Sequence, residues 1–121
     1  MGGMTTTRHH PFAAPKFVAL ELALELIRSL RGLQAQIRRH DSNLANQLVK
    51  AASSVAANVA EGNRRTGKDR LHLFRIAAGS ADETRTHLRV AEAWGYITRP
   101  QTTASLDLAD RQLAILYKLT H

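Results

Sequence analysis

Asn58-Val59-Ala60-Glu61-Gly62-Asn63-Arg64-Arg65-Thr66-Gly67-Lys68 decides the fold of this chain. It runs from a small-residue helix end through a glycine stop and a basic turn into a new helix start, with no apolar side chain after Ala60. Two helices are predicted to meet here around a charged corner. Upstream, Asp41 or Ser42 is a fitting N-cap for a helix that carries Leu44, Leu48, Ala51 or Ala52, Val55 and Val59 and stops at Gly62. Its later turns are Ala51, Ala52, Ser53, Ser54, Ala56, Ala57 and Ala60, small enough for a neighbouring helix to come close. Downstream, Thr66 and Asp69 have the spacing of a capping box, with Asp in place of Glu. They open a long helix to about Trp94 with an inward face of Leu71, Phe74, Ala77 or Ala78, Ala81, Thr84, Leu88 and Ala91. Gly79 costs about 1 kcal/mol relative to Ala in mid-helix; beside Ser80 and Ala81 it is expected to mark a tight crossing. Gly95 is the stop, as a left-handed residue after which Tyr96 and Ile97 fold back onto the core.

Two further helices flank this pair. The first is predicted from about Lys16 to His40, with Leu20, Ala23, Ile27, Leu30, Leu33 or Gln34, and Ile37 at intervals of three and four. Leu22, Leu24 and Leu26 add apolar surface that one stripe cannot bury, so a second surface such as another subunit is expected to cover them. The last helix begins near Thr98 or Thr103, with Pro100 tolerated only in a first turn, and presents Leu106, Ala109, Leu113, Leu116 and Leu119. The predicted architecture is all-α, an antiparallel up-down four-helix bundle over 16–121, preceded by a flexible tail at 1–15. Helices of about 20 residues are each roughly 30 Å long and match well enough to share one core.

Bulk properties agree. A chain of 121 residues supports one domain. Without cysteine it has no disulfide framework and no thiolate metal site, and a reducing cytoplasm is the natural compartment. No run of roughly 18 apolar residues exists, so no membrane span is expected. Met1 to Pro15 lacks the apolar segment of a signal peptide.

Three blocks around the corner carry a family resemblance. Val55-Ala56-Ala57-Asn58-Val59-Ala60-Glu61-Gly62 with Arg64-Arg65, then Ile76-Ala77-Ala78-Gly79-Ser80-Ala81-Asp82-Glu83, then Ala91-Glu92-Ala93-Trp94-Gly95-Tyr96-Ile97 are the segments concerned. They resemble the S-I-P-x-N-I-A-E-G, I-A-x-G-S-x-x-E and L-G-Y-I signatures of the bacterial four-helix-bundle proteins encoded in intervening sequences of large-subunit ribosomal RNA genes. The accessory protein of diversity-generating retroelements is similar to that family. Ala56 replaces the usual proline, Val49 a frequent arginine and Arg85 a frequent second glutamate. The resemblance implies homo-oligomers, typically pentameric, and a basic surface that in the retroelement accessory proteins engages nucleic acid and a reverse transcriptase.

The polar residues near the middle invite an enzymatic reading. Ser54, Asn58 and Glu61 share one helical face, and Ser80, Glu83 and His87 share one on the next helix. The better reading is a strip that satisfies itself across the hairpin, with Glu61 or Glu83 paired to Arg64 or Arg65. No nucleophile elbow or oxyanion loop accompanies it. Asp69-Arg70-Leu71-His72 is a single copy, with the wrong acid, of the paired motif a di-iron bundle needs, and His9, His10, His40, His72, His87 and His121 share no ligand spacing. Neither a catalytic site, a metal nor a cofactor is expected. Trp94-Gly95-Tyr96 has the makings of a base-stacking platform, but an aromatic pair at a helix end more often plugs the bundle, which is the expectation here.

The charges point most directly to function. Lys and Arg number 17 against 10 Asp and Glu, a net charge of +7. Residues 1–40 hold six basic and two acidic side chains and residues 63–95 hold seven and four, so the excess sits on the first and third helices and their turns. Arg28, Arg31, Arg38 and Arg39 lie along the first helix, Arg64, Arg65, Lys68 and Arg70 surround the turn, and Arg75, Arg85 and Arg89 follow; the first nine of these are the candidate phosphate-binding positions. Arginine suits bidentate phosphate contacts, and such an excess attracts polyanions. The expected function is a non-enzymatic, oligomeric nucleic-acid-binding bundle, accessory to a partner such as a reverse transcriptase. A protein-interaction scaffold is the alternative.

Overall fold

The computed structural model describes residues 14–121. The expected tail lies outside them apart from Ala14 and Pro15, and with it Arg8, His9 and His10. Among the described residues every regular element is a helix: α1 Pro15–Arg38, α2 Ser42–Asn63, α3 Gly67–Ala93 and α4 Arg99–Thr120. Each helix packs on its neighbour in sequence, and α4 packs on α1, so the four form a bundle.

The ends follow local chemistry. Asp41 caps α2, its Oδ1 accepting from the Leu44 amide at 3.0 Å. At the end of α3, the Gly95 amide donates to the Glu92 carbonyl (2.9 Å) and the Tyr96 amide to the Ala91 carbonyl (3.0 Å). That is a Schellman motif, with Gly95 at φ +80° as its left-handed residue. At α4, Pro100 occupies the first turn and Gln101 Oε1 accepts from the Thr98 amide at 2.9 Å. The box expected from Thr66 and Asp69 does not form: Thr66 stands at the N-cap with the extended backbone usual there, but its side chain makes no capping bond.

Gly62 is not the stop it was expected to be. α2 continues through it to Asn63, and Gly62 is buried inside the last turn. Its role is steric, since a Cβ there would lie 2.6 Å from the Phe74 ring. The close approach of α2 and α3 is therefore at Gly62. Gly79, the expected crossing, is exposed, with nothing within 4 Å of where its Cβ would be.

Leu22 and Leu26 also depart from expectation, because the chain buries both by itself. Each helix in this bundle touches two neighbours, so its buried arc is wider than one stripe. The core has two parts. One gathers Leu26, Leu30, Ile37, Leu48, Leu88 and Ile97, and the other Ala23, Val55, Val59, Phe74, Ala81 and Leu116. Ser80 Oγ donates to Ser54 Oγ (2.9 Å), tying α2 to α3, and the Ser29 and Ser105 hydroxyls meet at 2.7 Å between α1 and α4.

Candidate nucleic-acid interface

The charged corner between α2 and α3 is built from sequence spacing. Glu61 in the last turn of α2 stands three and four residues before Arg64 and Arg65, within reach of both. It accepts from Arg64 Nη2 at 2.6 Å and from Arg65 Nε at 2.9 Å. These hydrogen bonds, that of Arg65 foremost, hold its carboxyl below the usual carboxylate range. Arg70 reaches back from α3, donating through Nε to the Gly62 carbonyl (3.1 Å) and through Nη2 to the Asn63 carbonyl (3.2 Å). Carbonyls at a helix C-terminus lack intrahelical partners and carry partial negative charge, so a guanidinium there caps α2. Asn63 Nδ2 donates to the Lys16 carbonyl at 3.1 Å, seating the corner beside the start of α1.

A different situation holds on the far half of α1. Arg28, Arg31 and Arg39 are exposed, and no described side chain pairs with them. Arg38 donates to Asn46 Oδ1 at 2.6 Å and to Gln34 Oε1 at 3.0 Å, neutral acceptors that leave its charge in place. Arg31 and Arg38 line a groove of about 330 Å³ between α1 and α2, floored by Ile27, Leu30, Val49 and Ala52. Val49 is exposed there, where an arginine is frequent in the sequences this chain resembles. Lys68 and Arg75 are likewise exposed and without partners among the described residues.

The nine basic positions singled out from sequence thus fall into two groups. Asn63 places the corner beside Lys16, whereas Arg28 begins 12 residues further along α1, about 18 Å at helical rise. Lys50 on α2, which the charge pattern did not single out, is exposed as well, as is Arg89 on α3. Arg89 shares a second groove with Arg85, Glu92, Arg99, Asp107 and Asp110. There Arg85 bridges Asp110 (2.8 Å) and Asp82 (2.7 Å), which raise its pKa, and Arg99 holds Glu92 at 2.9 Å. Three arginines and three carboxylates line that groove, so it has no excess charge as a whole.

The central polar strip is only partly joined across the hairpin. Ser54 and Ser80 meet, but Asn58 Nδ2 bonds within its own helix to the Ser54 carbonyl and hydroxyl, at 2.8 and 3.0 Å. Glu83 meets His87 at 3.2 Å on the surface. Glu61 pairs with both arginines of the turn, and Glu83 with neither. Trp94 departs from the plug reading, being 70% exposed, whereas half-buried Tyr96 and Ile97 at 2% do fold back onto the core. Among the described residues no three His, Asp or Glu side chains are grouped to hold a metal ion, and no helix is long and apolar enough to cross a membrane.

The family model for the 23S rRNA-intervening sequence protein matches residues 17–118. The chain belongs to that family. The match spans all four helices, and with them the corner, the arginines of α1 and the Trp94 turn. A solved structure described as a protein with unknown function from the S23 ribosomal protein family, from Bacteroides thetaiotaomicron, has the same fold. The two share 20% identity with a TM-score of 0.76, over 84% of this chain and 97% of that one. No curated protein matches this chain. Family membership bears out the resemblance read from the Val55–Gly62, Ile76–Glu83 and Ala91–Ile97 blocks.

Proposed function

We propose that this intervening-sequence protein is a non-enzymatic bundle that assembles with copies of itself and binds the phosphate backbone of nucleic acid in the cytoplasm. In this reading it is accessory to a nucleic-acid-processing partner such as a reverse transcriptase. The observation that carries it is the set of exposed, unpartnered arginines on α1, in a chain of net charge +7. A guanidinium with no internal partner breaks no ion pair of the fold when it turns to a phosphate, and each such approach releases counterions from the nucleic acid. The helices run up and down, each antiparallel to its neighbours. Supporting that course, Asn63 at the end of α2 meets Lys16 at the start of α1, and Gln36 near the end of α1 meets Gln101 at the start of α4. Since Leu22 and Leu26 are buried within the chain, self-association rests on other surface, such as the exposed Phe17 and Ile76. Around a ring, with five copies as the number the family resemblance suggests, a modest phosphate-binding face is multiplied.

Fluorescence anisotropy with labelled RNA, single-stranded DNA and duplex DNA over a range of salt tests this reading, with light scattering for the mass. Binding that weakens steeply with salt and a mass several times that of one chain are expected. No binding to any of the three at about 50 mM salt would overturn it, since phosphate contacts are strongest there. The α1–α2 groove favours a second reading, a scaffold for another polypeptide, because its floor is aliphatic. A salt-independent complex with a protein partner would mark that case.

A further inference from the structure

Three aromatic rings from two turns lie one upon another at the end of the bundle where α1 passes into α2 and α3 into α4. His40 stacks on Tyr96, with centroids 4.9 Å apart and planes 5° from parallel. Tyr96 in turn lies 6.4 Å from Trp94, at 16°. The ladder is anchored from beneath. The Tyr96 amide is bonded to the Ala91 carbonyl, Gln36 Nε2 donates to the Tyr96 carbonyl at 3.0 Å, and Ile97 beside it is buried. Its last ring is the open one, for Trp94 is 70% exposed at the C-cap of α3. Two arginines belong to the same pair of turns. Arg39 next to His40 is exposed without a described partner, and Arg99, 83% exposed, uses only Nε for Glu92.

We propose that this end of the bundle receives the unpaired bases of a single-stranded nucleic acid, the first base stacking on Trp94 and its phosphates lying toward Arg39 and Arg99. The proposal rests on the nucleic-acid reading above and adds to it a preference for unpaired strands. Every base has a π face that an exposed indole can cover, whereas bases in a duplex are already stacked on one another. A ladder held by backbone bonds gives up little freedom when a base joins it, so the stack is pre-organised. Val90, one turn before Trp94 on α3, is exposed as well, so the patch is partly apolar, and a protein partner is the competing occupant that the titration below must exclude.

Trp94 is the chain's one tryptophan, so its emission reports on this site alone. The full chain is titrated with a short oligothymidine and, separately, with a hairpin-closed duplex, with anisotropy of labelled strands followed in parallel. The expected result is quenching of Trp94 emission that tracks oligothymidine binding and is absent with the duplex. Trp94→Ala should weaken the single strand about tenfold or more and leave duplex binding in place, with Trp94→Phe recovering part of the loss. Binding of both strands with unchanged Trp94 emission and unchanged affinity in Trp94→Ala would overturn the stacking site while leaving backbone binding standing. Failure of both strands to bind would overturn the two together. An emission shift on concentrating the protein alone would show Trp94 covered by a second copy, and would overturn the proposal in favour of a subunit interface.

Discussion

At the α2–α3 corner, arginine acts within the chain. Arg64 and Arg65 share Glu61, and Arg70 caps the carbonyls of Gly62 and Asn63. Along the far half of α1, Arg28, Arg31 and Arg39 have no such partner, and Arg38 meets only neutral acceptors. The two regions look alike as counts of positive charge, yet they differ in what a ligand must displace. A phosphate approaching the corner competes with a carboxylate already in place; on α1 it competes only with water. In physical terms, the corner is a joint of the fold with positive charge on its surface, and α1 carries arginines that have no charged partner among the described residues.

The largest expected effect tests the corner as a joint. Phe74 is fully buried against Gly62, so Phe74→Ala should lower unfolding stability by about 3–5 kcal/mol, measured by chemical denaturation. A change of the size seen at surface positions would show that the two helices do not depend on this packing. Arg70→Ala should cost less, about 1–2 kcal/mol, because it removes two charged hydrogen bonds that are partly open to water. The same substitution at Arg28, exposed and unpartnered, should stay within about 0.5 kcal/mol. Equal costs at the two sites would erase the distinction between them.

The smallest stability effect concerns pH. Glu61 has its folded pKa depressed by Arg65 and Arg64, so its stabilising contribution is complete above the unfolded carboxylate value of about 4.3. It is lost as pH falls through the lower folded value. Glu61→Gln should therefore give a slightly lower Tm than the parent near neutral pH, and the gap should close in strong acid. The effect is small because the pair is exposed to solvent and screened by salt, so it should also shrink at high ionic strength. A gap that persists in strong acid would mean that Glu61 acts through packing and not through its charge.

Much of the architecture was legible in the sequence because it rests on local chemistry. Asp41 caps α2, Pro100 opens α4, Gly95 stops α3, and the inner face of α3 follows its helical period. Three features were not legible, each for a physical reason. Gly62 and Gly79 look alike in sequence, and only the position of Phe74 makes one a close-packed site while the other faces solvent. The burial of Leu22 and Leu26 depends on how wide an arc two neighbouring helices cover, which periodicity along a single helix does not report. Trp94 is exposed because the left-handed turn at Gly95 carries the chain back so that Ile97 reaches the core first. The candidate site was legible as composition only. The internal pairing of Arg64, Arg65 and Arg70 emerged with the turn geometry, and that pairing separates structural from available arginine.

The division between these two arginine groups is tested most directly by the salt dependence of nucleic-acid binding in two paired variants, Arg28→Ala/Arg31→Ala on α1 and Arg64→Ala/Arg65→Ala at the corner. The α1 pair should keep the stability of the parent and lower the slope of log affinity against log salt by about 1 for each phosphate that is no longer neutralised. The corner pair, whose charge Glu61 already offsets in part, should change that slope less and stability more. A corner variant that abolishes most of the slope, beside an α1 variant that binds as the parent does, would contradict this account.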